Sequence, residues 1–347
     1  MSKSPKPPTL TDVARLAGVS VPTASRALNG GVRGVASGSS DVRRRVHDAA
    51  RALGYAPNAA AQATKEGRAR TVALLVGDIE DFRSVATITG VMRAAEGRGV
   101  PVTVRATMGD PLRELELLTT LRGERHRAVI LATGRTADAQ RERAVATQLR
   151  VLEEQGARVV IVGDSELDFP SVTVDNRESA RIFAGCLVEA GLRRFAVLSG
   201  PQGEIVARDR AEGFVAGLAE HGIEVPPDDI VSRSFSRDGG YSAVQALEGR
   251  LDRFDVLAAM SGAMAVGAIA RLHERGLDVP GEIEVTGFDH VPMLADVLPR
   301  YSTVEVSPEA VGEAALSLAL GEADPLHGSR IAVPATPIVR GVRVSRQ

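Results

Sequence analysis

Cysteine is almost absent: Cys186 is the only one in 347 residues. One thiol forms no internal disulfide and no thiolate metal cluster. The histidines, His47, His126, His221, His273, His290 and His327, are scattered. None pairs with another at metal-ligand spacing, and His273-Glu274 lacks the second histidine of a zincin. There is no Gly-x-Ser-x-Gly elbow and no P-loop. The glycines between Gly30 and Gly38 follow no strand pattern, so they make a poor dinucleotide fingerprint. Cys186 lies in an apolar helical stretch and reads as packed rather than nucleophilic. These absences point away from an enzyme, and no cofactor is expected.

Long apolar runs are missing too. Val256 to Ala270 spans 15 residues and is broken by Ser261, Gly262 and Gly267, short of the roughly 20 that a membrane span needs. Met1 to Thr11 is polar and proline-rich, without the apolar core of a signal peptide. A cytosolic location is expected, with no membrane partner. No short-period repeat is visible.

Net charge is nearly absent, at a formal -2, but the average hides a split. Residues 1–70 carry twelve Lys or Arg against four Asp or Glu, a formal +8. The rest carries thirty against forty, a formal −10. All three lysines, Lys3, Lys6 and Lys65, lie in the basic part. A small basic head on a large acidic body suggests an appended nucleic-acid-binding module. A merely basic surface helix is the plainer alternative.

The head contains three short helical patterns. Leu10, Val13, Leu16 and Ala17 have helical spacing, and Gly18 stops that run. Ser20 is placed to cap a second helix, with Pro22 tolerated in its first turn. A third pattern runs from about Asp41 to Leu53, with Val42, Val46, Ala49, Ala50 and Leu53 on one face. Ala17-Gly18-Val19-Ser20 is then the corner of a helix-turn-helix. Val13, Ala17, Val19, Ala24, Leu28, Val46 and Leu53 are its expected core. Thr23, Ser25 and Arg26 would face DNA, since short polar groups suit phosphates and base edges, and Arg suits guanine. Asn58 to Thr71 contains no Leu, Ile, Met or Phe, so it reads as a linker that orders only with a partner.

Beyond Thr71, β-rich runs alternate with helical segments. They are Val72–Val76, Val102–Arg105, Ala128–Ala132, Val159–Val162, Val172–Val174, Phe195–Leu198, Val256–Ala259 and Glu284–Phe288. Consecutive apolar residues mark strands covered on both faces. The alternation predicts parallel sheets with right-handed crossovers, and the length predicts two α/β lobes.

At Thr9 to Asn29 the chain resembles the lactose-repressor (LacI/GalR) family of bacterial transcription regulators. Arg43-x-Arg45-Val46 and Leu53-Gly54-Tyr55-x-Pro57-Asn58 continue the resemblance. So do Val174-Asp175-Asn176, Leu198-x-Gly200-Pro201, Arg210-x-x-Gly213-Phe214, Val279-Pro280 and Gly287-Phe288-Asp289, in family order. The resemblance implies a small all-α helix-turn-helix head (1–57), a hinge (58–70) and a two-lobed periplasmic-binding-protein-like core (71–347). Lobe 1 is expected at about 71–172 and 304–323, lobe 2 at about 173–303 and 324–347. It further implies a homodimer on a palindromic double-stranded DNA operator, and repression modulated by a small effector, a sugar or related metabolite, in the interlobe cleft.

Carried over residue by residue, the DNA-binding positions are Thr11, Ser20, Val21, Pro22, Thr23, Ser25, Arg26 and Asn29, with Asn58, Gln62 and Thr64 in the hinge. Strand ends nominate Asp78, Phe82, Asp164, Arg210, Phe235, Ser261 and Asp289 for the effector. Arg210 would clamp hydroxyls or a carboxylate, Phe235 would stack on a sugar ring, and Asp289 would accept hydroxyl hydrogen bonds. The plainer reading gives the carboxylates to helix caps or crossover ion pairs.

The chain also departs from the family pattern. Thr64 stands where a hinge leucine usually wedges between base pairs, which predicts weaker kinking. The Gly30–Gly38 loop is longer than usual. Ser261 and Gly262 replace the usual Asn-Asp, and Asp78-Ile79-Glu80-Asp81-Phe82 lacks the usual Asn-Pro. An altered effector is expected, or a regulator independent of a small ligand. An enzyme or a solute-binding protein on the same body is the alternative from another class.

Overall fold

A computed structural model describes residues 8–29, 40–56, 71–79, 81–289, 291–323 and 329–340. The chain divides into two compact units, Met1–Ala69 and Arg70–Gln347.

The first unit holds α1 (Leu10–Ala17), α2 (Val21–Asn29) and α3 (Ser40–Leu53). A reciprocal capping box starts α1: Thr9 Oγ1 accepts from the Asp12 amide, and Asp12 Oδ2 accepts from the Thr9 amide at 3.0 Å. Gly18 ends α1 with φ of 64°, which a glycine adopts without a Cβ clash. Val13, Ala14, Ala17, Ala24, Ala27, Val46, Ala49 and Ala50 form the core, with Val19, Leu28 and Leu53 half-buried around it. Arg45 of α3 donates to the Ala17 carbonyl at 2.5 and 3.2 Å and to the Gly18 carbonyl at 3.3 Å. It thereby satisfies the free carbonyls at the end of α1 and fixes the corner between α1 and α2.

The second unit is α/β throughout. In chain order it runs β1 (Val72–Val76), α4 (Phe82–Arg98), β2 (Val102–Ala106), α5 (Pro111–Glu124), β3 (Ala128–Ala132), α6 (Ala139–Glu154), β4 (Arg158–Val162) and β5 (Ser171–Val174). There follow α7 (Asn176–Glu189), β6 (Phe195–Ser199), α8 (Ile205–Glu220), β7 (Ile230–Ser232), α9 (Arg237–Ala246), β8 (Val256–Ala259), α10 (Gly262–Glu274) and β9 (Glu284–Phe288). The chain closes with α11 (Pro292–Val297), β10 (Thr303–Val306), α12 (Pro308–Leu320), β11 (Arg330–Val333) and β12 (Ala335–Ile338).

Two six-stranded sheets result, ordered β11-β5-β4-β3-β1-β2 and β12-β10-β9-β8-β6-β7. Pairing is parallel except where β12 runs antiparallel to β10. The first sheet explains its consecutive apolar residues. Val72, Leu74 and Val76 pack on one face with Val311 and Ala315 of α12, while Ala73 and Leu75 pack on the other with Leu118 of α5 and Leu149 of α6. Helices α4 and α12 cross with their backbones touching: a Cβ on Gly90 would meet the Pro308 carbonyl oxygen at 1.8 Å.

The two sheets exchange segments near the end of the chain. Thr303–Val306 pairs in the second sheet and Arg330–Val333 in the first. Helix α12 packs on the first sheet, so the chain crosses between β10 and α12 and again between β11 and β12, later than the expected 304 and 324. The four strands absent from the sequence expectation, β7, β10, β11 and β12, have three or four residues each. Strand β12 contains Pro337, which an edge strand tolerates, and Arg330 and Ala332 of β11 are exposed. Such short, partly polar runs lack the apolar continuity of the central strands.

Candidate nucleic-acid interface and interlobe cleft

In the head, the exposed side of α2 carries Val21, Pro22 and Arg26, with Ser25 half-buried beside them. Spacings of one, four and five residues put them on one helical face. Ala24 and Ala27 face the core. Arg26 is exposed, and its Nε donates to the Pro22 carbonyl at 3.3 Å. Ser20 caps α2: its Oγ accepts from the Thr23 amide at 3.4 Å and lies 2.8 Å from Thr23 Oγ1. Thr11 is exposed in the first turn of α1. The Asn29 side chain, Asn58, Gln62, Thr64 and the Gly30–Gly38 loop lie outside the described residues.

In the body, the carboxyl ends of both sheets open on one cavity of about 620 Å³. That is where open α/β sheets place ligands, and the size suits a small molecule. The loop after β1 brings Asp78, Asp81 and Arg83; the loop after β3 brings Thr133 to Arg135; the loop after β4 brings Asp164. From the second sheet come Glu204 after β6, Phe235 after β7 and Asp289 after β9.

A hydrogen-bonded chain runs across this wall. Asn176 Nδ2 donates to Asp164 Oδ2 at 2.8 Å, and Arg210 Nε donates to Asn176 Oδ1 at 2.8 Å. Arg210 then grips Asp289 with two bonds, at 2.9 and 2.6 Å, and donates to the Met260 carbonyl at 2.8 Å. Its guanidinium also lies 3.9 Å from the centre of the Phe288 ring. Arg210 and Asp289 are 3% and 6% exposed. Asp289 has φ of 78°, a left-handed conformation that carbonyl-type side chains tolerate better than others. The two residues are thus a strut of the second lobe before they are anything to a ligand.

Asp78, Asp164, Arg210, Phe235 and Asp289 are brought together on the cavity wall. Phe82 and Ser261 are not. Phe82 packs against the apolar core of the second lobe. Ser261 is 1% exposed and caps α10, accepting from the Met264 amide at 3.2 Å. Phe235 is 8% exposed and already engaged: Arg83 lies over one face, 4.7 Å from its ring centre, and the ring tip abuts Gly200. The cap reading holds for other acids. Asp81, Asp110, Asp138 and Asp175 each accept from an amide at a helix start.

Sequence reasoning missed Arg83, Arg135 and Glu204. Arg83 lies in the first turn of α4, pairs with Asp81 at 2.8 and 3.1 Å and reaches the second lobe at Phe235. Burial opposes its charge, but Asp81, Asp289 and Glu204 outweigh burial and raise its pKa. Arg135 is buried among Glu114, Glu142 and Thr133. Its carbonyl accepts from the Ile205 amide at 3.0 Å, and the Ala137 amide donates to the Gly203 carbonyl at 3.0 Å. With the Thr136–Glu204 bridge, these bonds form a seam between the lobes. An arginine three residues beyond the end of a strand gives no spacing signal; only the fold collects its partners.

The Glu204 carboxylate lines the cavity, and burial raises its pKa above the ordinary carboxylate value. A raised folded-state pKa means that the charged form costs stability above that pKa and nothing below the unfolded value. Glu204→Gln is therefore expected to raise the melting temperature at pH 7, with the gain fading below about pH 4. Thermal unfolding across pH reads this directly; a gain that persists at low pH would show that charge is not its source.

Among the described residues no helix is long and apolar enough to cross a membrane. Nor is there among them a group of three or more His, Cys, Asp or Glu placed to hold a metal.

A three-helix head with an outward-facing second helix, joined in one chain to a bilobal body with an interlobe cavity, defines a DNA-binding transcriptional regulator with a ligand-binding core. Residues 9–58 match the model of bacterial regulatory proteins of the lacI family, and residues 184–341 match that of the periplasmic binding protein-like domain. The chain is 32% identical to the HTH-type transcriptional regulator GalR of Escherichia coli K12, over 91% of this chain and 89% of that protein. It belongs to the LacI family. Its fold matches that of the transcriptional regulator CelR in complex with cellobiose, at 26% identity and a TM-score of 0.67, over 96% of this chain and 99% of the other. It also matches the Lac repressor dimer bound to operator and an anti-inducer, with a TM-score of 0.77 at 21% identity, over 96% and 98%.

Proposed function

We propose that the chain represses transcription as a cytosolic homodimer on a palindromic operator, and that a small effector in the interlobe cleft controls its affinity for DNA. It acts by binding, with no catalytic step. Residues 1–57 form the head, 58–70 the hinge and 71–347 the effector-binding and dimerising core. Thr23, Ser25 and Arg26 read base edges, while Thr11, Ser20, Val21, Pro22 and Asn29 position the helix. Asn58, Gln62 and Thr64 belong to the hinge. A two-fold protein matches a two-fold site, and an effector acts through its different affinities for the two lobe arrangements.

The observation that carries the reading is the outward face of α2 in a head whose corner is fixed by Arg45. Charge supports it, since a +8 head attracts phosphates and a −10 body repels them. The test is a titration of DNA flanking the chain's own gene against rising salt, with stoichiometry by mass. Two chains on one palindrome, with affinity falling steeply as salt rises, are expected. Absence of any specific site, or binding as a single chain, overturns the reading.

A further inference from the structure

The cleft is rich in arginine, yet each of its guanidinium groups already pairs with a carboxylate; among the described residues the Arg141 Nε is the one buried guanidinium nitrogen left without a hydrogen bond. Arg210 is held by four bonds to Asp289, Met260 and Asn176. Arg83 gives two bonds to Asp81 and rests on Phe235. Arg135 is held by Glu114 and Glu142, and Arg141 reaches Glu114 at 3.2 Å. Against these four cations stand five carboxylates on the wall, Asp78, Asp81, Asp164, Glu204 and Asp289. Glu114 and Glu142 stand directly behind Arg135. With every group charged, the described wall has a formal balance of minus one, which favours a bound cation over a bound anion.

Glu204 differs from the other acids. Among the described residues its carboxylate makes no hydrogen bond; Arg83, Arg141 and Arg135 act on it only through space. It sits on the second-lobe side of the seam, with its carboxyl group against Gly134 of the first lobe. Asp164, on the opposite lobe, has one oxygen held by Asn176. Burial disfavours the charge on both. Ser84, Thr107, Thr133, Ser234 and Ser236 add hydroxyl groups to the same wall; those of Thr107, Thr133, Ser234 and Ser236 also bond within the protein, and keep lone pairs or protons to share.

We infer that the cleft is built for a hydroxylated amine, an amino sugar in chemical class, whose ammonium group is paired by Glu204. This rests on the reading of the cleft as the effector site. The ammonium compensates a carboxylate that the protein leaves without a direct partner. The ligand hydroxyls meet the hydroxyl-rich wall and Asp164. Because Glu204 belongs to the seam, its pairing bears on how the two lobes meet, and so on the response at DNA.

The test uses the full-length protein and matched sets of probes: glucosamine, glucose and glucuronate, and the three galactose equivalents, with melting temperature and titration calorimetry as readouts. At least one amine is expected to bind ten-fold or more tighter than its neutral parent, with no binding by either uronate. Glu204→Gln, with its fold checked by circular dichroism, is expected to abolish the amine's advantage, and Glu204→Asp to retain part of it. A neutral sugar or a uronate that binds as well as the amine overturns the inference but leaves the cleft as an effector site. An amine advantage that survives Glu204→Gln overturns it also. If no amine binds, the inference fails; if a wider set of sugars and nucleosides is silent too, the effector reading fails with it.

Discussion

Replacing Asp289 with alanine is expected to cost about 3–5 kcal/mol of stability in the body, because it strands a buried cation. Arg210 is 3% exposed and loses both carboxylate bonds, keeping only Met260 and Asn176. Alanine also has to adopt the φ of 78° that Asp289 holds. Asp289→Gly loses the same bonds without that strain, so it should be milder by about 1–2 kcal/mol. The double variant Arg210→Met, Asp289→Asn removes both charges and should recover most of the loss. Urea unfolding checks the series, with the transition of the body followed separately from that of the head. A loss under about 1 kcal/mol for Asp289→Ala would mean that water reaches Arg210, and that the pair behaves as a surface one.

Arg26→Ala is expected to weaken operator binding by about 1–3 kcal/mol for each half-site and to relax the choice at one base position. The head should melt as before, since Arg26 is exposed and its bond to the Pro22 carbonyl is 3.3 Å long. Arg45→Ala is the contrasting variant. It removes the clamp on the end of α1 and should loosen the head itself. Operators substituted one base at a time separate the outcomes. A loss uniform across sequences makes Arg26 a phosphate contact. Unchanged affinity would reject α2 as the reading helix.

The head was legible in the sequence because local signals agree there. Ser20 and Thr9 cap, Gly18 turns, and the alanines that pack are spaced for one helical face. The central strands were legible for a similar reason, since Val72–Val76 is buried at every residue. Strands such as Ile230–Ser232 and Thr303–Val306 escaped because three or four residues show no periodicity; neighbours in the sheet define them.

The cleft was half legible. Asp78, Asp164, Arg210 and Asp289, nominated from strand ends, line one cavity. What sequence does not show is which charge is already satisfied. Arg210 reads as a free clamp until Asp289, 79 positions away, is seen to close on it. Phe235 reads as a ring platform until Arg83 is seen lying on it. Glu204 reads as a surface glutamate because its burial comes from the seam, and the seam exists only in three dimensions.

That seam separates two properties that selection could otherwise not tune apart. Its hydrogen bonds from Ile205 to Arg135 and from Ala137 to Gly203 run between main-chain groups. Main-chain pairing survives most side-chain replacements. Wall residues outside the seam, unlike Glu204, are therefore free to drift toward a new effector while the lobes keep the same way of meeting. A family that serves many signals with one mechanical output is what such a division of labour permits.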